Sequence, residues 1–259
     1  MQLGIGLRPQ VHMRRKAASL TTTEPETAPP SHGSGTVRKR RLGAGPNAQD
    51  ELLRLALKAC LIARDAAFNV RDLLTNSSRM AFLAVRDCEK ELDQIERQID
   101  ERLPGAITRV SEARARQLLA CLKCITDLER IGDLIMSVAQ RVQSRTCPIP
   151  GADARQLVQM TVILHDMLDE IYRGFRSLDV ENARKVLRVD SDLDHICHSM
   201  FQKHLADRAT QNDPLHFEVL LMAQALERAG DHVKNLAEEL YALIEGHTRR
   251  HPPKRNATQ

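Results

Sequence analysis

The chain has 259 residues, of which 42% are apolar and 3% aromatic, with no tryptophan and a formal charge of +4. This apolar content supports a sizeable core, and the dominance of Leu, Ala, Arg, Glu and Asp favours helices packed on helices over sheets. No apolar run reaches the roughly 18–20 residues that a membrane-crossing helix needs, and six cysteines scattered through helical patterns are not spaced as a disulfide framework.

The charge is unevenly spread. Residues 1–50 hold eight Lys or Arg against three acids, the tail from Gly246 adds four basic residues, and the acidic residues prevail in between. The stretch 1–48, with "TTTEPETAPPSHGSG" at its centre, has no sustained apolar period and reads as a disordered basic arm. Its clusters "MRRK" and "RKRR" suit acidic lipid, nucleic acid or an acidic partner, against the plainer readings of a solvated tail or of Met13 as the true start. Arg14 and Arg15 lack a following apolar segment, so export is not expected and the thiols should be reduced.

From Asp50 the pattern turns helical. A broad apolar face covers 51–75, a second helix is expected over 78–103 with a break at Pro104 and Gly105, and a third over 109–145 ends at "CPIPG". The order then repeats: helices over 153–177 and 179–208, and a last one from Asp213 or Pro214 to about Gly246. The expected fold is all-α, two tandem antiparallel three-helix bundles at 49–148 and 149–246, with a basic disordered tail at 247–259. "CLKC" at 121–124 lies inside the third helix with no second pair at zinc-finger spacing, so it reads as buried helical cysteine.

Duplication shows in the register. Leu92-Asp93-Gln94-Ile95 lies over Leu193-Asp194-His195-Ile196 at an offset of 101, and Leu128-Glu129-Arg130 over Leu226-Glu227-Arg228 at an offset of 98. Each unit therefore carries two carboxylate pairs at i and i+4: Glu89 with Asp93 and Glu129 with Asp133 in the first, Asp190 with Asp194 and Glu227 with Asp231 in the second. Residues four apart share a helix face, so each pair repels itself unless neutralised. If the two helices of a unit face each other, four hard oxygen ligands meet and suit a multivalent cation: iron, zinc, manganese, magnesium or calcium. The alternative is a solvated face with Arg130 and Arg228 as counter-charges. Gly132 and Gly230, mid-helix at a cost of about 1 kcal/mol each against Ala, point to close helix approach or metal access. His198 and Asn235 continue the second unit's four-residue spacing where the first has Arg97 and Ser137; His198 is a candidate extra ligand, whereas His165, His195 and His232 read as surface or packing histidines.

No nucleophile elbow, P-loop or dinucleotide fingerprint is present, so no catalytic residue is expected. Di-iron bundles use Glu-x-x-His, which is missing, leaving a metal-dependent hydrolase or oxidase as the competing class and a helical interaction module with a nucleic-acid-binding arm as a third.

The doubled phrases "DLERIGDLIMSVA" and "ALERAGDHVKNLA", each preceded by an acidic helix ("CEKELDQIE" and "DSDLDHIC"), resemble the PhoU family of phosphate-uptake regulators over about residues 51–246. The resemblance implies a non-enzymatic, cytoplasmic negative regulator of phosphate import and phosphate-starvation signalling. It implies multinuclear metal clusters, iron or zinc first and magnesium or manganese next, held by Glu89, Asp93, Glu129 and Asp133 and by Asp190, Asp194, Glu227 and Asp231. Its implied partners are a phosphate-transporter ATPase subunit and a sensor histidine kinase, with membrane association through these partners, a homodimer and no nucleic acid. The same domain occurs on sodium/phosphate cotransporters, which leaves that pathway as an alternative. Ser137 in place of the family's Asn, and a first helix without the usual opening Arg and Phe, depart from the pattern.

Overall fold

The computed structural model describes residues 48–108, 110–206 and 214–246; the expected arm at 1–48, all but its last residue, and the tail at 247–259 lie outside them. Six helices follow in order: α1 (Ala48–Asn76), α2 (Arg79–Ile107), α3 (Glu112–Ser144), α4 (Gly151–Ser177), α5 (Val180–Ala206) and α6 (Pro214–Glu245). The first three pack on one another, as do the last three, giving two three-helix units in tandem. α1 lies against α4 and α3 against α6, while among the described residues α2 and α5 touch only helices of their own unit.

Local sequence explains the ends. Ser78 and Ser111 accept hydrogen bonds through their hydroxyls from the backbone N–H groups of Ala81 and Arg114, at 3.2 and 3.4 Å, and so cap α2 and α3. In the link before α5, the Asp179 carboxylate accepts from the Glu181 N–H at 2.9 Å. The duplication reaches the backbone itself: Ser77 and Leu178, 101 positions apart, are the non-glycine residues in the left-handed region among the described residues, at φ 51° and 54°, and each turns the chain between the first two helices of its unit. Neither is Gly, so nothing in the sequence marks this conformation.

Pro104 does not end α2, which continues to Ile107. A proline in the last turn forfeits one hydrogen bond, to the carbonyl of Asp100, which is exposed and can be hydrated; burial of Leu103 and Ala106 holds the remaining turn on the core.

Apolar stripes from all six helices form one continuous core, with Leu52, Val70, Ile99, Leu128 and Ile135 fully buried on one side and Leu157, Ile171, Leu226 and Leu236 on the other. A polar belt joins the units. Arg64 of α1 donates to Asp169 of α4 at 3.1 Å, Lys123 and Arg141 of α3 donate to Glu239 and Glu218 of α6 at 3.0 and 2.6 Å, and Asp127 of α3 meets His232 and Asn235 of α6 at 2.8 and 3.2 Å. His232 and Asn235 thus serve the seam. Cys60, Cys121 and Cys124 are buried free thiols, the first two pushed up to about 12 and about 11 chiefly by burial, which keeps them protonated and inert.

The two glycines of the repeated phrase have one structural reason. A Cβ on Gly132 would stand 2.6 Å from Leu92 Cδ1, and one on Gly230 would stand 2.4 Å from Leu193 Cδ1. Leu92 and Leu193 are duplicate positions, both buried, so each glycine lets a leucine of the second helix seat against the backbone of the third. Gly132→Val and Gly230→Val should therefore each destabilise the fold by about 2–3 kcal/mol. Gly105→Ala, where an added Cβ meets nothing within 4 Å, should stabilise it by up to about 1 kcal/mol. Urea unfolding of the three variants checks the ordering.

Candidate metal centre

With Leu92 seated over Gly132, the acidic stripe of α2 and the phrase on α3 come face to face. One ligand oxygen each from Glu89, Asp93 and Asp133 lies within 4.8 Å of the others, the first two half-buried and the third exposed. Among the described residues this is where three metal-ligand side chains gather so closely.

Glu129 stands beside this group, on the turn of α3 before Asp133. Its side chain is 15% exposed, and among the described residues its Oε2 has no hydrogen-bond partner, with Arg130 Nε at 3.5 Å. Burial first, and then Asp133 and Glu96, push its carboxyl up to about 7, against the pull of Arg130. Burial, Asp93 and Asp133 likewise raise Glu89. The arginines of this face do not settle the charge: Arg130 lies 3.8 Å from Asp133 and Arg97 3.9 Å from Asp93, beyond hydrogen-bond reach and largely in solvent. The readings of a solvated face and of a cation site differ on this point, and the half-buried, unneutralised carboxylates fit the second.

The second unit places its acids differently. Asp194 and Glu227 are raised by burial and by neighbouring carboxylates, as in the first unit, but Asp190, Asp194, Glu227 and Asp231 do not gather within the same distance. Asp190 is buried and ion-paired to Lys234 of α6. His198 is exposed and lines a shallow hollow with Asp194 and Glu227, its Nε2 lying 3.5 Å from Gln202. Lys234, Glu96 and Asp127 were not among the residues the sequence singled out. Lys234 follows Glu227 by seven residues, hence lies on nearly the same face, which was the available signal.

The donor set of the first unit is all oxygen, on two helices held rigidly by the core. It suits hard multivalent cations.

A family profile for the PhoU domain matches residues 52–142 and again 157–240. The chain belongs to the PhoU family. Its relatives include the phosphate-specific transport system accessory protein PhoU homologues of Rhizobium meliloti, 28% identical over 200 residues (74% of this chain, 83% of the relative), and of Pseudomonas aeruginosa, 29% identical over 218 residues (79% and 87%). The crystal structure of PhoU from Pseudomonas aeruginosa shares the fold at a TM-score of 0.69 and 23% identity, covering 78% of this chain and 99% of that one. As a PhoU protein the chain is regulatory and not an enzyme.

The raised Glu129 carboxyl makes the stability of this PhoU chain depend on pH. In metal-free protein its folded pKa of about 7 exceeds the ordinary value of 4.5, so the folded state holds the extra proton between these values and stability falls as pH rises through them. Glu129→Gln should stabilise chelator-treated protein at pH 8 by about 1 kcal/mol, after allowance for solvent screening, with the gain shrinking toward pH 4.5. Thermal melts across that range test it; a loss of stability at pH 8 would show that the Arg130 contact outweighs burial.

Proposed function

We propose that this chain is a negative regulator of phosphate uptake and phosphate-starvation signalling, whose α2–α3 carboxylates bind a multivalent metal cluster. The single observation that carries the metal reading is the convergence of Glu89, Asp93 and Asp133 within 4.8 Å with no ammonium or guanidinium of the described residues hydrogen-bonded to them. Glu129 lies outside the group that gathers within 4.8 Å, and its orphaned Oε2 and the fields of Asp133 and Asp93 upon it make it the candidate fourth ligand. A cation held there by Glu89, Asp93 and Asp133 would neutralise their charge and tie α2 to α3. Iron and zinc are the first candidates by family resemblance, and magnesium or manganese suit an all-oxygen set.

The regulatory reading is supported by PhoU family membership and by relatives named as accessory proteins of phosphate-specific transport. On this reading the chain works in the cytoplasm as a homodimer, with units at 49–148 and 149–246, and reaches the membrane by docking on the transporter's ATPase subunit and a sensor histidine kinase. No described helix is long and apolar enough to cross a membrane.

Deleting the gene should leave phosphate uptake and phosphate-starvation reporters active in phosphate-rich medium, and the intact chain should restore repression. Asp93→Asn with Asp133→Asn should lower the metal content of protein purified without chelator at least several-fold, measured by mass spectrometry of the elements. Unchanged metal content would reject the site; unchanged reporter activity in the deletion strain would reject the regulatory role.

A further inference from the structure

The two duplicated units meet the same electrostatic problem, and the second carries an answer that the first lacks. Asp190 corresponds to Glu89 at the offset of 101, and Lys234 corresponds to Met136 at the offset of 98. Asp190 is 5% exposed and its carboxylate accepts a hydrogen bond from the Lys234 ammonium, an ion pair bridging α5 to α6. The Lys234 charge is held first by that hydrogen bond and further by the fields of Asp190, Asp231 and Asp194, so the ammonium faces three of the four acids of the second unit. At the corresponding place in the first unit Met136 is buried and apolar, and the cation that opposes Glu89 is Lys90, next to it on the same helix.

We infer that Lys234 stands in for a metal ion in the second unit, an internal counter-cation that closes this half-site and leaves cation binding to the first. The inference rests on the metal-binding reading of the first unit and departs from the symmetry of the duplication. A divalent ion entering the second unit would have to displace the ammonium from Asp190 or share that buried carboxylate with it at short range, where like charges repel even though the Lys234 side chain is partly in solvent. Expelling Lys234 would in turn leave Asp190 buried unless the ion replaced its partner in full.

Mn2+ titration followed by the electron paramagnetic resonance signal of the free ion decides the matter on the full chain. Asp194→Asn with Asp231→Asn, which leaves the Lys234–Asp190 pair intact and so does not threaten folding, should bind as much Mn2+ as the unaltered chain; a lower stoichiometry overturns the inference. In an Asp93→Asn, Asp133→Asn background, Lys234→Met should tighten Mn2+ binding at least ten-fold over the same background with Lys234, while Lys234→Arg should not; no gain on Lys234→Met overturns it as well. Lys234→Met should also melt several degrees lower in chelator and recover with Mn2+, which separates opening of the site from unfolding. If the unaltered chain binds no Mn2+, the metal reading of the first unit fails, and the gain on Lys234→Met still decides the role of Lys234.

Discussion

Everything at the acidic face depends on how near the second and third helices of each unit can come. The leucine at 92 or 193 seats against a glycine at 132 or 230, where even one added carbon would overlap a side chain that the core holds on all sides. That contact places the carboxylates of two helices opposite each other instead of leaving each pair to point into water. Apolar packing, worth about 25 cal/mol per Å² of buried apolar surface, therefore holds together groups whose charges push them apart. The acids are not separable from the fold: two successive turns of α3 supply the core leucine Leu128, the carboxylate Glu129, the close approach at Gly132 and the exposed Asp133.

Confronted carboxylates can be relieved by a proton, by a fixed cation of the protein or by a captured one, and the chain shows the first two at different places. In the first unit Glu129 takes up a proton near neutrality because its neighbours are acids and its surroundings partly dry. In the second unit Lys234 supplies a fixed positive charge to Asp190. A proton is exchangeable, and at pH above about 7 the first unit is left with charge that its arginines, at the rim and weak partners in water, balance poorly. The same fold repeated twice thus presents two acidic faces with raised carboxyls, of which the second also carries a built-in positive charge.

Much of this was legible in the residues and some was not, for physical reasons that differ by position. The six helices, the duplication and the four carboxylate pairs follow from spacing, because apolar period and i, i+4 geometry are local properties. The extension of α2 through Pro104 was not legible, since the burial of Ala106 that outweighs one lost hydrogen bond is a tertiary effect. Nor were the left-handed turns at Ser77 and Leu178, which lack the glycine that usually announces them. Asn235 looked like a continuation of the acidic stripe, but four residues advance a helix by about 40° beyond a full turn. That drift carries Asn235 off the acidic stripe to meet Asp127 across the seam. Spacing alone left open which acid of α3 meets the pair on α2; Asp133 joins Glu89 and Asp93 within 4.8 Å, and Glu129 feels the field of both aspartates.

The seam adds a consequence to the doubled phrase. Asp127 opens the first copy, and its partners His232 and Asn235 belong to the second, so the phrase on α3 and the phrase on α6 grip each other while each also faces an acidic helix of its own unit. α3 is accordingly a shared wall: one side meets α2 through Gly132 and the carboxylates, the other meets α6 through Asp127, Lys123 and Arg141. Interiors at crystal-like density deform little under such constraints. Any change in charge that draws α2 and α3 together or lets them part is therefore borne by a helix already clamped to the second unit, whose own acidic face is held by the Lys234–Asp190 pair.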